Sequence, residues 1–356
     1  MAEREAAAVS WLRERLAKLR PEAAAVEHLP SVAVITDSAA ALPPAWGLDL
    51  PDDGRLAIVP MPVMVGPDIF GEGADDVAAS IGLALAAGQP VRTSRPSPGQ
   101  FERAYRAAKA DGFAGAVSIH LSGALSGTVE SAQLAAATVD FPVEVIDTRT
   151  VGMAQGFGVQ AALLAAAAGS DLREVAAAVR QQTDAARIYF YVPSLDQLRR
   201  GGRIGTAASW LGTVFSIKPI LSVRDGQVVP LERIRTEVRA IARLEELVRQ
   251  DIAGRPVGAA KLAVHHFGNE PAAEALCARL VSGLEQAAAA AGAEAAGGVI
   301  AGDPVGPAAG IPAVSAAGAA AKAPEVLITP LPAVLAAHAG LGVLAVIVGE
   351  DPAQRG

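Results

Sequence analysis

The feature that most constrains the fold is a series of short, continuous apolar runs in the first half of the chain. Each ends in polar or small residues, and they read "VAVITDS", "LAIVPMPVMV", "GAVSIHLS" and "VEVIDTRT". Apolar runs without alternation are typical of strands buried on both faces. Helical patterns lie between them at 99–111, 127–139 and 156–168. Residues 31–168 are therefore predicted to form an α/β domain with a parallel, Rossmann-like sheet.

A second domain of the α+β class is predicted for residues 169–349. It begins with a Ser-Asp helix cap before "LREVAAAVRQQTD", and Asp225-Gly226 separates two extended runs as a hairpin turn does. Residues 286–323 are nearly all Ala, Gly and Pro, which predicts a low-complexity insertion or loose linker. Residues 1–30 carry one narrow apolar stripe and are predicted to form a helical extension.

Composition excludes several classes of protein. The net charge of −7 and the dispersed Lys and Arg residues argue against a nucleic-acid surface. No strongly apolar window is long enough for a membrane span, which leaves room only for transient membrane contact. The start "MAERE" has no apolar signal region, so the cytoplasm is the expected location.

Metal sites and disulfides are also not expected. The single cysteine, Cys277, lies in an apolar helical pattern and is predicted to be an inert core thiol. His265 and His266 are adjacent on a predicted strand, so their side chains point to opposite faces and do not reach one ion easily. His120 ends another strand and is expected to face the neighbouring layer.

Polar clusters follow the predicted strands of the parallel sheet. They are Asp37-Ser38, Thr93-Ser94, the stretch from Ser122 to Thr128, and Asp147-Thr148. Each alone is explained by helix capping. In open parallel sheets, however, ligands bind at the carboxyl ends of the strands, and four clusters at consecutive ends favour a binding crevice.

Known catalytic templates fit these clusters poorly. "GALSG" does not match the G-x-S-x-G nucleophile elbow, and "SGT" lacks the lysine of a phosphate loop. "GFGVQA" at 156–161 resembles a dinucleotide fingerprint but begins about eight residues beyond its strand. A nucleotide-binding domain therefore remains a third hypothesis only.

Six motifs together resemble the DegV family in order and spacing. They are "ITDSAAALP", "TSRPSPGQF", "LSGALSGTVESA", "VIDT", "LDQLRRGGRI" with "IKPIL" and "DG" after it, and "HAGLG". The resemblance covers about residues 31–349 without 286–323 and the N-terminal helix. The chain departs from the family pattern at Arg95, which replaces a glutamine, at Gly123, which replaces a frequent serine, and in "HAGLG", which lacks the usual Thr and Pro.

The resemblance implies a two-domain protein that buries one long-chain fatty acid between its domains. In the family, the protein presents the acid to a separate fatty acid kinase subunit that makes acyl phosphate, so the chain is expected to be a carrier without catalysis or a cofactor of its own. The matching carboxylate-binding residues are Thr93 or Ser94, Ser122 or Ser126, and His338.

Arg203, in "RRGGRI", has two interpretations. Glycine at the helix end and arginine near its negative end are expected on structural grounds alone. The sharper hypothesis places Arg203 at a phosphate-facing kinase interface, with Arg200 and Arg199 steering an acidic partner.

Two further hypotheses concern the walls and the chemistry of the site. The apolar runs "WLGTVFSI" at 210–217 and "VPMPVMVG" at 59–66 are candidates for the tunnel walls, with ordinary core packing as the alternative. The rival function is a serine hydrolase in which Ser126 attacks and His338 serves as the base.

Overall fold

The computed structural model describes residues 32–43, 53–71, 77–210, 217–256, 259–297 and 326–350. The predicted N-terminal helix lies outside these residues. Most of the predicted wall segment 210–217 also lies outside them.

Thirteen strands are formed by the described residues. They are β1 (Val32–Asp37), β2 (Leu56–Val59), β3 (Val63–Val65), β4 (Asp68–Phe70), β5 (Val91–Thr93), β6 (Gly115–His120), β7 (Val143–Asp147), β8 (Arg187–Tyr191), β9 (Lys218–Arg224), β10 (Gln227–Ile234), β11 (Ala260–Phe267), β12 (Val326–Pro330) and β13 (Val343–Glu350).

Nine α-helices lie among the same residues. They are α1 (Val77–Ala86), α2 (Pro98–Ala110), α3 (Thr128–Ala136), α4 (Met153–Ala167), α5 (Leu172–Ala185), α6 (Asp196–Arg200), α7 (Glu237–Ala253), α8 (Glu270–Gly297) and α9 (Ala333–Ala339). Within the described part of the chain, no helix combines the length and apolarity needed to cross a bilayer.

The predicted parallel sheet is confirmed. Its strand order is β2-β1-β6-β7, and every neighbouring pair is parallel. Val32 and Val34 pack on one face against α4 and α5, whereas Ala33 and Ile35 pack on the other against α2 and α3. Burial on both faces explains why these strands are apolar at consecutive positions.

A six-stranded mixed sheet forms the second half of the fold, in the order β10-β9-β8-β13-β11-β12. The hairpin predicted at Asp225-Gly226 joins β9 and β10, with φ of 51° and 79° at the two turn residues, as a type I′ turn requires. Helices α7 and α8 cover one face of this sheet. The predicted cap of α5 is also confirmed, because the Asp171 carboxylate accepts the Glu174 N–H at 2.8 Å.

Helices α4 and α5 lie between the two large sheets. Helix α4 contacts β1 and β6 on one side and β13 on the other, which explains its apolar composition all round. A Cβ on Gly156 would lie 2.5 Å from the Ala40 carbonyl, and one on Gly158 would lie 2.8 Å from the Thr183 methyl group. The glycines of "GFGVQA" thus serve close helix packing inside α4, away from any strand-to-helix turn.

Two segments differ from the sequence interpretation. The run "LAIVPMPVMV" is divided, because β2 joins the parallel sheet whereas β3 belongs to a separate antiparallel sheet with order β4-β3-β5. Proline at positions 60 and 62 separates the two strands, since proline lacks the N–H that a continuing strand needs. Helix α8 extends through Gly297, so the predicted insertion from 286 begins inside a helix, where alanine favours helical structure.

The Asp37 carboxylate joins the carboxyl ends of β1 and β6 and is completely buried. It accepts hydrogen bonds from the Ala39 N–H at 3.0 Å, the Leu121 N–H at 3.1 Å and Nδ1 of His120 at 2.9 Å. Nε2 of His120 bonds the Ser118 hydroxyl at 2.7 Å. Because the partners come from two strand ends, this network sets where the chain leaves the sheet after β6.

Replacing Asp37 by alanine is expected to lower the free energy of unfolding by about 3 kcal/mol or more, because three buried donors lose their acceptor. Urea denaturation measures the effect. Asp111→Ala is the matched control, since Asp111 is exposed and its carboxylate bonds no described residue. An Asp37→Ala variant as stable as the control would contradict this role of the carboxylate.

Candidate functional site

An apolar cavity of about 840 Å³, counting the part open to solvent, lies between the elements of the two halves. Most of its wall is aliphatic, and its apolar lining includes Met61, Leu121, Leu125, Val151, Ile188, Phe190, Leu198, Val223, Val228, Leu331, Val334, Leu335, Val343, Ala345 and Ile347. The polar residues of the lining are Thr93, Ser126, Arg203, His265 and His338.

Thr93 and His338 are in direct contact at this cavity. Thr93 ends β5, and His338 lies in the last turn of α9, 245 positions away in the sequence; Oγ1 of Thr93 is 2.8 Å from Nε2 of His338. The antiparallel pairing of β5 with β3 places Thr93 beside α9. The structure therefore brings together two of the residues predicted to bind one anion.

Gly201 makes room for the imidazole of His338. A Cβ at position 201 would lie 2.1 Å from Nδ1 of His338, far inside van der Waals contact. Gly201 is the C-cap of α6, as predicted, but its φ is −77°, so its helical conformation does not itself require glycine. Gly202 has the left-handed φ of 69° that ends the helix. Gly201 thus serves the close approach of α6 to α9.

Arg203 lies at the same end of the cavity. Its Nε donates to the Leu125 carbonyl at 3.0 Å and its Nη1 donates to the Gly201 carbonyl. These two bonds fix the guanidinium between the loop after β6 and the end of α6, while Nη2 has no described hydrogen-bond partner. Among the described residues that line the cavity, Arg203 is the only one of the Asp, Glu, Lys and Arg types. An anionic group bound at this end would therefore have a positive partner.

His338 is held in its neutral form. Burial and the nearby positive charge of Arg203 lower the pKa of His338 from 6.5 to about 4. A helix C-terminus favours a protonated histidine by only about 0.3–1 kcal/mol, so burial and Arg203 prevail. At neutral pH the positive charge of this end therefore comes from Arg203, and His338 contributes a neutral hydrogen-bonding ring.

The two candidate serines of the loop after β6 have different environments. Ser126 lines the cavity, and its Oγ is 2.8 Å from the Thr128 hydroxyl. Ser122 is completely buried and does not line the cavity. Its hydroxyl donates to the Gly226 carbonyl at 2.7 Å and accepts the Ala124 N–H at 3.2 Å. Ser122 thus fastens the loop to the β9–β10 hairpin.

Three other predicted residues, Ser94, Arg199 and Arg200, do not line the cavity. Ser94 is exposed and its hydroxyl bonds the Arg95 carbonyl at 3.3 Å. Arg199 and Arg200 are exposed on α6, and Arg199 lies 3.4 Å from Asp196. Of the candidate wall segment 59–66, Met61 lines the cavity.

His265 forms part of the cavity wall and caps α4. Its Nε2 accepts the Met153 N–H at 3.0 Å, which places its proton on Nδ1, facing the Thr329 hydroxyl at 3.0 Å. Gly152 precedes the helix at φ 61° and has no side chain to cap it, so the imidazole takes that role. Within the described residues no group of three or more His, Cys, Asp or Glu side chains converges as metal ligands do.

Among the described residues, Ser126 and His338 do not form the hydrogen-bonded pair that the hydrolase hypothesis requires. Ser126 bonds Thr128 and His338 bonds Thr93, and the buried Nδ1 of His338 has no carboxylate partner to orient it. A linear Asp37–His120–Ser118 arrangement does exist, but all three residues are completely buried and lie outside the cavity lining. That arrangement supports the sheet and has no access to a substrate.

Sequence reasoning missed three contributions to the site. The sequence predicts either a helix-end role or a phosphate-facing interface for Arg203, a helix cap for Gly201 and at most a metal ligand for His265, and none of these hypotheses places the residue at the cavity. All three positions depend on contacts between elements remote in the sequence, and the one available signal was the clustering of Arg203 and Gly201 in "RRGGRI".

Acidification is expected to destabilise the protein through His265, whose pKa is lowered to about 4 by burial. Below pH 6.5 the unfolded chain takes up a proton that the folded chain does not, so stability falls by up to about 1.4 kcal/mol per pH unit until about pH 4. In His265→Gln, whose amide oxygen can still accept the Met153 N–H, this contribution should disappear. Urea unfolding of both proteins from pH 7 to 4.5 measures the difference, and parallel curves would contradict the assignment.

Comparison with known proteins agrees with this architecture. The sequence model of the DegV family, a family of proteins described as uncharacterised, matches residues 31–309 of this chain. A DegV domain-containing protein of Streptomyces coelicolor is 41% identical over 249 residues, or 70% of this chain and 86% of that protein.

Two solved structures are also similar in fold. The fatty-acid-binding DegV family protein of Thermus thermophilus has a TM-score of 0.71 at 28% identity, covering 90% of this chain and 100% of its own. DegV of Bacillus subtilis, described as a fatty acid binding protein, has a TM-score of 0.70 at 25% identity, covering 90% and 99%. The chain therefore belongs to the DegV family.

Proposed function

We propose that this protein binds a long-chain fatty acid in the apolar cavity, with the carboxylate at the end formed by Thr93, Ser126, Arg203 and His338. The observation that carries the proposal is the distribution of polarity in the cavity. One guanidinium and a bonded Thr93–His338 pair lie at one end of a wall that is apolar apart from Ser126 and His265. The fatty acids bound by the Thermus and Bacillus relatives support the same ligand class.

The hydrocarbon chain and the carboxylate of the ligand contribute differently to the binding free energy. Each methylene removed from water contributes about 0.8 kcal/mol, so roughly ten contribute on the order of 8 kcal/mol before ordering costs. A carboxylate would oppose burial unless it is hydrogen-bonded, and charge-assisted bonds from Arg203 offset this cost. The aliphatic wall therefore supplies affinity, and the polar end determines which head group is accepted.

We further propose that the protein is a cytoplasmic carrier that presents the carboxylate to a separate kinase. The loop carrying Ser126 and the end of α6 both border the polar end, and the exposed Arg199 and Arg200 lie on that helix. Exposed arginines beside the head group suit an acidic partner surface. Arg203 itself contacts the ligand in this proposal and does not face the partner directly.

The function is tested by identifying the ligand. Native mass spectrometry of the purified chain is expected to show a mass increment that lipid extraction assigns to a long-chain fatty acid. A protein that is purified empty and takes up no added fatty acid would refute the proposal. A covalent adduct between Ser126 and a fluorophosphonate probe would instead favour the hydrolase.

Arg203→Gln is expected to weaken fatty acid binding by about tenfold or more, because loss of a charged donor costs about 1.5–3 kcal/mol. Displacement of a fluorescent fatty acid measures the affinity. Arg200→Gln removes the same charge from an exposed neighbour outside the cavity lining and should bind as tightly as the wild type.

Arg203→Lys serves as a second variant, because it keeps the charge but loses the planar fork. Its affinity should lie between those of wild type and Arg203→Gln. If Arg203→Gln and Arg200→Gln bind equally, the carboxylate does not lie at the Arg203 end.

A further inference from the structure

A second cavity, which we call the arginine cleft, lies beside the apolar cavity. It has about 970 Å³, counting the part open to solvent, and is lined by Thr148, Arg149, Thr150, Thr183, Asp184, Ala186, Arg187, Tyr189, Ser222, Val223, Arg224 and Asp225. Val223 lines both cavities, but none of the four polar-end residues lines the arginine cleft. The two cavities therefore have different chemistry.

Three arginines reach the arginine cleft from three separate segments. Arg149 follows β7, Arg187 begins β8 and Arg224 ends β9. Two carboxylates, Asp184 and Asp225, share the lining with the three guanidinium groups, which leaves one net positive charge around the opening. Hydroxyl groups of threonine, serine and tyrosine also line the opening.

The existing contacts leave these arginines available. Arg149 bonds Asp225 at 2.7 Å, but both side chains are largely exposed, and such pairs contribute only about 0–1 kcal/mol. Arg187 uses one nitrogen, Nη1, for the carbonyls of Asp184 and Ala186. The side chain of Arg224 makes no hydrogen bond or ion pair with any described residue. An incoming anion could therefore be bound without breaking a strong interaction.

The backbone of Arg149 is a second, independent observation. Its φ is 53°, in the left-handed region that glycine and asparagine tolerate best. The Asp147 carboxylate holds this turn by accepting the Arg149 N–H at 2.9 Å. Strained positions of this kind cluster at functional sites, and Arg149 is one of the residues that line the arginine cleft.

We propose that the arginine cleft binds the phosphate group of a small molecule. A carboxylate is planar and is satisfied by one arginine in a bidentate pair. A phosphate dianion has tetrahedral oxygens and twice the charge, which suits donors arriving from three sides. This site is independent of the fatty acid proposed for the apolar cavity.

Isothermal titration of the full chain with inorganic phosphate and with glycerol 3-phosphate, at constant ionic strength, tests the proposal. Saturable binding is expected at millimolar concentrations. In Arg224→Gln and in Arg149→Gln it should weaken about tenfold, as expected for losing one charge-assisted bond. Tighter binding of glycerol 3-phosphate would identify an ester as the source of the phosphate, and equal binding would identify the free anion.

Arg173→Gln is the matched control, because Arg173 is an exposed residue of α5 outside the arginine cleft. It should bind phosphate as the wild type does. Absence of saturable binding, or equal weakening in Arg173→Gln and Arg224→Gln, would overturn the proposal. Fatty acid content measured on the same samples reports separately on the apolar cavity, and all of the substituted arginines are exposed, so folding should be preserved.

Discussion

The buried Asp37 carboxylate is the interaction on which the rest of the site depends. It accepts the Leu121 N–H and binds His120, so it determines the direction of the chain as it leaves β6. The following loop supplies the Leu125 carbonyl that holds Arg203, and Ser126 of the cavity lining. A carboxylate outside the cavity therefore positions the charge inside it.

Charge in the apolar cavity is concentrated on one side chain. His338 is neutral because burial and Arg203 both oppose its protonation, so the imidazole adds hydrogen-bonding capacity without a second positive charge. Two buried cations would repel each other in a medium of low dielectric constant. One cation with neutral hydrogen-bonding neighbours can accept a monoanion while the empty site remains stable.

Close approach of elements is the second physical constraint. Gly201 admits the ring of His338 against α6, and Gly156 admits α4 against the turn after β1. At Gly226 the absence of a side chain likewise allows the hairpin to approach the Ser122 hydroxyl. These glycines differ in backbone conformation but share one function, since a Cβ at any of them would separate two elements that frame the cavity or its supporting loop.

The sequence by itself determined the parallel sheet, the hairpin at Asp225-Gly226 and the cap of α5, because those depend on local periodicity and turn chemistry. It also indicated the family, and that resemblance gave the candidates Thr93 or Ser94, Ser122 or Ser126, and His338. Only the tertiary structure decided that Ser122 supports the loop whereas Ser126 lines the cavity, and that Arg203 faces inward. These distinctions depend on the direction of side chains and on contacts between residues far apart in the sequence. Arg203 and Leu125, for example, are 78 positions apart, and local sequence contains no signal for such a contact.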